Sequence, residues 1–433
     1  MTGLRQWVRD PELPSRCGQP HLAPPREDEL KALVTEHALV DGHPAPDEVL
    51  WEYARWKPGV SITCTYRLLW SGEEEPHEQI VVAKRYAGDK VSHLVERKDR
   101  SAGLQPLSPR VKPRVLLPEN ALALWCPAAD RELPGVAYLL DVKRFASLVK
   151  NSGITEPGLI RRRKSEYEPL RYKAERRAVF RAKLKLRDEA KTRITLAARV
   201  LPIEEAQRIA ASRRSLELSF DTAACAPFVP RLLGFHDRYG ILIEEWLDVA
   251  GSPEPGDFSH ASEAGEILAR LHDLPVVEEL PLLPRASGDE LRPLFALDAG
   301  LAGHFHGLHG STSDRRTWIH GDFHPDQVTT VHAGEAHTTG LLDLDRLAPG
   351  DPCDDLASWI ADHLFEDEER NYEQASSALL EAYAAAGGRF DAEHLKRTVA
   401  DELVRRGAAT LRRLETGALE RAASCLERAA TII

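Results

Sequence analysis

The chain is 433 residues long, more than one ordinary core holds and suited to two or three domains. Hydrophobic residues make up 42% and charged residues 29%, the balance of a folded, water-soluble protein. The formal charge of −11 argues against a general nucleic-acid binder, which needs clustered Lys and Arg, and would suit a cationic partner if acidity did not so often serve solubility alone.

Residues 1–28 are rich in proline and polar groups and are expected to form a flexible lead-in. They show no signal-peptide core, and no apolar run is long enough to span a bilayer, so a cytoplasmic protein is expected. The six cysteines are scattered without a CxxC pair and read as reduced thiols rather than a disulfide framework.

From Val49 to Arg85 the pattern is strand-like, with Val60–Tyr66 alternating and Ile80–Lys84 forming an apolar run. A mixed segment around Ala123-Leu124-Trp125 ends in a helix-like stretch near Val142–Lys150. A second strand-rich region from Glu168 to Val200 reads as a divergent copy of the first. Arg55-Trp56-Lys57-Pro58-Gly59 corresponds to Arg171-Tyr172-Lys173-Ala174-Glu175, and Val82-Ala83-Lys84 to Ala197-Ala198-Arg199. Between the copies the basic run Arg161-Arg162-Arg163-Lys164 reads as a solvated linker, and Lys57 and Gly59 as turn residues.

Ile203–Leu218 is predicted helical, Phe228–Phe235 and Gly240–Leu247 are predicted strands, and helices follow over Ala261–His272, Asp354–Phe365, Ala375–Ala386 and much of Ala392–Ala430. Strands first and helices later imply an α+β, two-lobed architecture. The expected division is a lead-in over 1–28, a cap module over 29–160, a sheet-rich lobe over 161–247 and a helical lobe over 248–433.

Chemistry concentrates in His320-Gly321-Asp322-Phe323-His324-Pro325-Asp326-Gln327. Gly340-Leu341-Leu342-Asp343-Leu344-Asp345 and Gly350-Asp351-Pro352 follow, and Asp354-Asp355-Leu356-Ala357 starts a helix. Phosphoryl transfer needs a carboxylate on a fixed loop to orient a hydroxyl and accept its proton, and Asp322 suits that role. Mg²⁺ needs hard oxygen ligands, which the Gln327 amide and the Asp343 carboxylate offer. Asp345 is either a further metal ligand or a solvated carboxylate. His320 belongs to the same catalytic loop, its ring better suited to bracing than to proton transfer. Asp351 and Asp355 suit capping and loop support.

The segment resembles the HGDxHPxN catalytic loop of the aminoglycoside phosphotransferase and choline-kinase-like family, whose fold is similar to that of protein kinases. Leu341-Leu342-Asp343 resembles the family's metal-binding strand, Gly350-Asp351-Pro352 with Asp355-Leu356-Ala357 its GDPxxDLA helix start, and Leu268-Ala269-Arg270-Leu271-His272 its LaxLH helix. The resemblance implies a bilobal kinase-like fold with a cap module, ATP and Mg²⁺ as cofactors, and transfer of the γ-phosphate to a hydroxyl of a small molecule or a peptide. It places the adenine against the backbone of a hinge strand containing Glu244, Glu245 and Trp246. The front half resembles phosphotransferases that carry Lys-Pro-Gly-Arg-Arg strands, including duplicated forms.

Three departures stand out. Gln327 replaces the usual Asn. Ala174-Glu175 replaces Pro-Gly at the turn that should approach phosphate. Arg199 replaces the third-strand lysine, a form that Lys84 keeps in the first copy. Either Lys84 of the first copy contributes to the nucleotide site or Arg199 fills the role; Arg199, with Glu204 or Glu205 as its acidic partner, is favoured because its module directly precedes the hinge strand. All three departures touch nucleotide or metal handling, so a nucleotide-impaired binding module is the main competing reading. A metal-dependent hydrolase built on His320, Asp322 and His324 is a further one. His304, His306 and His309 are spaced as zinc ligands but lie among glycines that suit a loop.

Overall fold

The computed structural model describes residues 9–72, 77–95, 110–154, 160–188, 190, 192–220, 229–247, 249, 258–276, 280, 288–304, 316–333 and 336–433. The N-terminal segment forms a short helix, α1 (Leu13–Arg16), and then α2 (Glu27–Leu33). From residue 9 onward the expected flexible lead-in is not what the chain forms. Leu13 and Leu22 are fully buried, Arg9 bridges to Glu415, and the Tyr66 hydroxyl donates to the Pro25 carbonyl at 2.5 Å. Apolar anchors among the prolines and these polar contacts dock it together.

Beta-branched and aromatic alternation then builds a five-stranded antiparallel sheet from β1 (Glu48–Lys57), β2 (Ser61–Trp70), β3 (His77–Tyr86), β4 (Arg114–Leu117) and β5 (Leu122–Trp125), in the order β1-β2-β3-β5-β4. The helix α3 (Lys90–Val95) lies between β3 and β4 in sequence. Two helices follow, α4 (Gly135–Leu139) and α5 (Val142–Asn151), the second capped by Asp141. A second five-stranded sheet comprises β6 (Glu166–Lys173), β7 (Arg177–Lys185), β8 (Arg193–Val200), β9 (Leu232–His236) and β10 (Ile241–Glu245), ordered β6-β7-β8-β10-β9. Here α6 (Ile203–Phe220) stands where α3 stands in the first. Residues 221–228, where the sequence reading began the β9 strand, lie outside the described residues.

The two sheets agree in register as well as order. Arg55 opposes Thr63, which opposes Lys84; Arg171 opposes Val179, which opposes Arg199. Lys57 opposes Ser61 as Lys173 opposes Arg177, and Val82 opposes Trp125 as Ala197 opposes Glu244. Even the first turn keeps its shape, with Gly59 at φ +68° and Glu175 at φ +60°.

Beyond residue 247 the chain becomes mainly helical. It runs through α7 (Ala261–Asp273), α8 (Gly288–Phe295), α9 (Ala299–His304), β11 (Thr317–Ile319), the hairpin β12 (Val328–Ala333) and β13 (Ala336–Leu341), and β14 (Ala348–Gly350). The last elements are α10 (Pro352–Glu366), α11 (Tyr372–Ala385), α12 (Ala392–Arg412) and α13 (Ala418–Ile432). The fold is α+β, with sheets leading and helices following. Among the described residues no helix is long and apolar enough to cross a membrane. Five cysteines (17, 64, 126, 353, 425) are free, and Cys225 lies outside the described residues.

Three apolar clusters set how the parts sit. Trp56, Tyr66 and Leu124 of the first sheet pack with Leu294, Leu411 and Leu426, so this sheet rests on α8, α12 and α13. Leu268, Trp359 and Leu379 centre a second cluster between α7, α10 and α11. Val136, Phe145 and Val149 cover the second sheet through Phe180, Ala198 and Ile243. The approach of α4 is close: a Cβ on Gly135 would sit 2.4 Å from the Tyr239 carbonyl oxygen. Because α4 and α5 fill the second sheet's core, we propose dividing the chain near residue 130 rather than 160.

Leu22→Ala tests the docking of the N-terminal segment. A fully buried leucine truncated to alanine costs about 2–5 kcal/mol, whereas the same change in a solvated tail costs less than about 0.5 kcal/mol. Urea unfolding of the two proteins reads the difference.

Candidate active site

The short strand β11 carries Trp318 and Ile319 into the core and delivers the chain to His320. Gly321 then turns it at φ +80°, a conformation open to glycine at little cost. Phe323 anchors the far side of the turn, fully buried against Trp359 with ring centroids 5.3 Å apart.

Beneath the loop lies the Asp355 carboxylate on α10, fully buried. It accepts from the backbone N–H of His320 at 2.6 Å and of Gly321 at 2.7 Å. His272, at the end of α7, faces the same carboxylate at 3.2 Å and reaches the Tyr383 hydroxyl with its other ring nitrogen at 2.8 Å. The LaxLH helix therefore supplies the brace beneath the loop. His320 is buried, and its Nε2 bonds the Leu342 carbonyl at 2.7 Å, tying the loop to the segment that leads from β13 to Asp343. Its ring braces and does not reach the loop's exposed face. Asp351 caps α10, accepting from the Cys353 N–H at 2.9 Å and meeting His394 at 2.7 Å.

With these groups engaged, Asp322 stands exposed. Among the described residues it has neither a hydrogen bond nor an ion pair. Gln327 accepts from the Leu342 N–H through its backbone carbonyl at 2.9 Å, which sets its side chain beside the Asp343 strand end. Its amide nitrogen lies 3.0 Å from His324 Nε2, leaving the amide oxygen for another partner. Asp343 itself sits at φ +53°, an uncommon conformation for a residue with a Cβ and a mark of local constraint.

Both carboxylates face arginines of the second sheet. Arg177 meets Asp343 at 3.0 Å and Asp345 at 3.1 Å. Arg199 pairs with Asp345, approaches Asp343 at 3.4 Å, and reaches Glu244 at 2.6 Å. Burial opposes ionisation of Asp343, but Arg177 and Arg199 outweigh it and hold its carboxyl below the usual range. Burial beside that charge pushes Asp345 upward.

Arg199 takes its acid from an unexpected element. Neither Glu204 nor Glu205 on α6 pairs with it; Glu244 on β10 does, and α6 contributes Arg213, 2.8 Å from the same Glu244. The Glu244 side chain is thus committed to ion pairs, so any part it plays as a hinge residue falls to its backbone. Glu245 pairs with Arg231 at 3.3 Å, and the Trp246 ring lies under the Arg181 guanidinium at 5.5 Å. Lys84 is on the first sheet, clamped at 2.6 and 2.8 Å by both oxygens of Glu175, and does not join Arg199. Glu175 is held in turn, its N–H donating to Asp130 at 2.8 Å.

Of the residues singled out in the sequence, Asp343, Asp345, Arg199 and Glu244 come together; Gln327 is tied to the same segment through its backbone bond to Leu342, and Asp322 stands exposed on the loop. Arg177 and Arg213 were missed. The repeat did not mark Arg177, because its counterpart in the first copy, opposite Lys57, is Ser61. His320 and His324 do not converge on a shared metal: one bonds Leu342, the other Gln327. His304 bonds the Gly300 carbonyl, while His306 and His309 lie outside the described residues. Two carboxylates with an amide oxygen make a donor set of hard oxygens that fits Mg²⁺, with Arg177 and Arg199 now facing those oxygens.

The resemblance read in the sequence is borne out by comparison. Residues 223–398 match the model of the phosphotransferase enzyme family. Solved structures similar to the chain include an ethanolamine kinase from Plasmodium vivax, 10% identical, covering 67% of this chain and 89% of that one with a TM-score of 0.43. A choline kinase from Streptococcus pneumoniae is 15% identical, over 66% of this chain and 99% of that one, with a TM-score of 0.41. An aminoglycoside phosphotransferase from Streptomyces rimosus is 19% identical, over 60% and 98%, with a TM-score of 0.35. No curated protein matches the chain.

Asp355→Ala should remove the acceptor of two buried N–H groups at once. Each orphaned group costs about 1–3 kcal/mol, so a loss of about 2–6 kcal/mol is expected in chemical unfolding. A loss below about 0.5 kcal/mol, the scale of a surface change, would show that the loop does not lean on this carboxylate.

Proposed function

We propose that the chain is an ATP- and Mg²⁺-dependent phosphotransferase that moves the γ-phosphate to a hydroxyl of a small molecule, with Asp322 as proton acceptor. One observation carries this reading: an exposed carboxylate with no hydrogen bond or ion pair among the described residues, on a loop held from beneath by the buried Asp355 and by the buried rings of His320 and Phe323. A carboxylate held that way orients a hydroxyl without competing contacts, and positioning is most of what phosphoryl transfer asks of a protein. The acceptor oxygen forms its bond to γ-phosphorus as the bond to the β-bridging oxygen breaks. Asp322 takes the hydroxyl proton, and ADP departs with the released electron pair. When bound, Mg²⁺ supplies charge neutralisation at the phosphate oxygens; Asp343, Asp345 and the Gln327 amide are the residues that would hold it. His320 and Asp355 keep the loop in place. Arg199, braced by Glu244, presents a guanidinium to the phosphate side, and adenine would lie along Glu244–Trp246. The similar kinases are named for ethanolamine, choline and aminoglycosides, so amino alcohols and amino sugars are the acceptors to screen first, with sugars after them.

Asp322→Asn keeps size and removes the base. Transfer should fall by about 10²–10⁴-fold while nucleotide affinity holds, read by ADP production over a panel of hydroxyl acceptors beside a nucleotide titration. Activity within a few-fold of wild type removes Asp322 from the mechanism.

Asp343→Ala should weaken nucleotide binding in Mg²⁺ by at least about tenfold, or 1.4 kcal/mol, and change it little in chelator. Equal losses in both conditions would contradict a metal role. A second reading, a kinase-like binding module without turnover, draws on Arg177 and Arg199, which already occupy Asp343 and Asp345. It takes over if the wild-type protein binds no nucleotide at millimolar Mg·ATP.

A further inference from the structure

The chemistry proposed above leaves one set of metal donors unused. Asp351 and Cys353 stand at the start of α10, and His394 stands in the first turn of α12, 43 residues beyond Asp351. A carboxylate oxygen of Asp351, the Cys353 Sγ and a ring nitrogen of His394 lie within 4.8 Å of one another. Among the described residues this is the one place where three His, Cys, Asp or Glu donors approach so closely.

The backbone at each donor is held by contacts that leave the ligand atom available. Asp351 spends Oδ1 on the Cys353 N–H at 2.9 Å and turns Oδ2 toward His394 Nε2 at 2.7 Å. The His394 N–H donates to Asp391 Oδ1 at 2.8 Å, and its Nδ1 is buried without a partner, so no acceptor draws the ring away from Asp351. Cys353 is 2% exposed, and its thiol lies 4.0 Å from the Asp391 carbonyl, too far for a strong bond. Asp351 has His394 as its ion-pair partner, and among the described residues no Lys or Arg pairs with it.

The donor types select the ion. Thiolate, imidazole and carboxylate together suit Zn²⁺, whereas Mg²⁺ takes oxygen ligands alone. One thiolate and one carboxylate also supply the two negative charges that neutralise Zn²⁺, so the ion brings no net charge into a largely buried place. The two helix starts oppose a bare cation but favour the carboxylate and thiolate that would meet it. Tetrahedral zinc sets its S, N and O ligand atoms about 3.3–3.6 Å apart, so Asp351 and His394 need part by only about half an ångström.

We propose that Asp351, Cys353 and His394 bind Zn²⁺ and fasten the start of α12 to the start of α10. Water takes the fourth position. The His394 ring lacks the outer acceptor whose loss typically costs about 10–100-fold in metal affinity, so micromolar binding is expected. The site shares no residue with Asp343, Asp345 and Gln327 and does not rest on the transfer reaction.

The test titrates Co²⁺, as a spectroscopic substitute for zinc, into the reduced full chain. Wild-type protein should develop the thiolate-to-cobalt charge-transfer band and the visible bands of a tetrahedral site, and Zn²⁺ should bleach both. Cys353→Ser, nearly isosteric, should abolish the charge-transfer band, and His394→Gln should weaken binding by at least about tenfold. Cys17→Ser controls for another thiol and should keep the band. Asp343→Ala should keep it too, so a failed assignment of the Mg²⁺ donors leaves this result readable. Zinc should also raise the melting temperature of Asp343→Ala, and should not do so once Cys353→Ser is added. No charge-transfer band from wild-type protein at millimolar Co²⁺ overturns the inference, and that measurement needs no variant to fold. A band that survives Cys353→Ser, or an affinity that His394→Gln leaves unchanged, overturns it as well.

Discussion

Two guanidiniums and two carboxylates hold the second sheet to the helical lobe, and Glu244 with Arg213 completes the network on the sheet's side. Arg177 and Arg199 reach down from neighbouring strands to Asp343 and Asp345, while Glu244 ties Arg199 to Arg213 on α6. Burying such charges is costly unless each is matched, and breaking one pair strands its partner in a poorly solvated place. The arrangement is balanced, charge for charge, and this fixes the spacing between the sheet and the segment that carries Asp343 and Asp345. It also explains why Asp343 tolerates a left-handed backbone: two arginines define where its carboxylate must be.

The first sheet repeats this logic with a different answer. Lys84 stands in register where Arg199 stands, and it too meets a carboxylate delivered by the next module along the chain. For Arg199 the next module is the helical lobe. For Lys84 it is the second sheet, whose first turn inserts Glu175 in place of a glycine. One substitution thus both closes the face of the first sheet and removes a backbone phosphate cradle from the second. The duplicated base keeps its geometry and becomes a fastener.

Much of this was readable in the sequence because it is local. The loop from His320 to Gln327, the cap at Asp351, the carboxylate strand and the helices around them follow from short-range spacing, and the copy of Arg171-Tyr172-Lys173 in Arg55-Trp56-Lys57 followed from alignment alone. What escaped depends on contacts between distant segments. The partner of Arg199 was sought on α6, where Glu204 and Glu205 sit, because nothing in sequence reveals that Glu244 on β10 lies beside Arg199 across the ladder. Leu13 and Leu22 were hidden by the prolines around them. The role of Lys84 required knowing what the next sheet places against it.

The balance of the central network bears on what can enter the cleft. Mg²⁺ drawn to Asp343 and Asp345 competes with Arg177 and Arg199, so a bare cation gains little against contacts already made. A triphosphate carrying Mg²⁺ arrives as a net anion, offering the displaced guanidiniums new partners as it takes their old ones. Metal and polyanion are in this way expected to enter together rather than in turn, with the ion-paired arginines exchanging carboxylate for phosphate oxygen. The overall acidity of the chain, which by itself suggested a cationic ligand, thus describes the surface rather than the cleft.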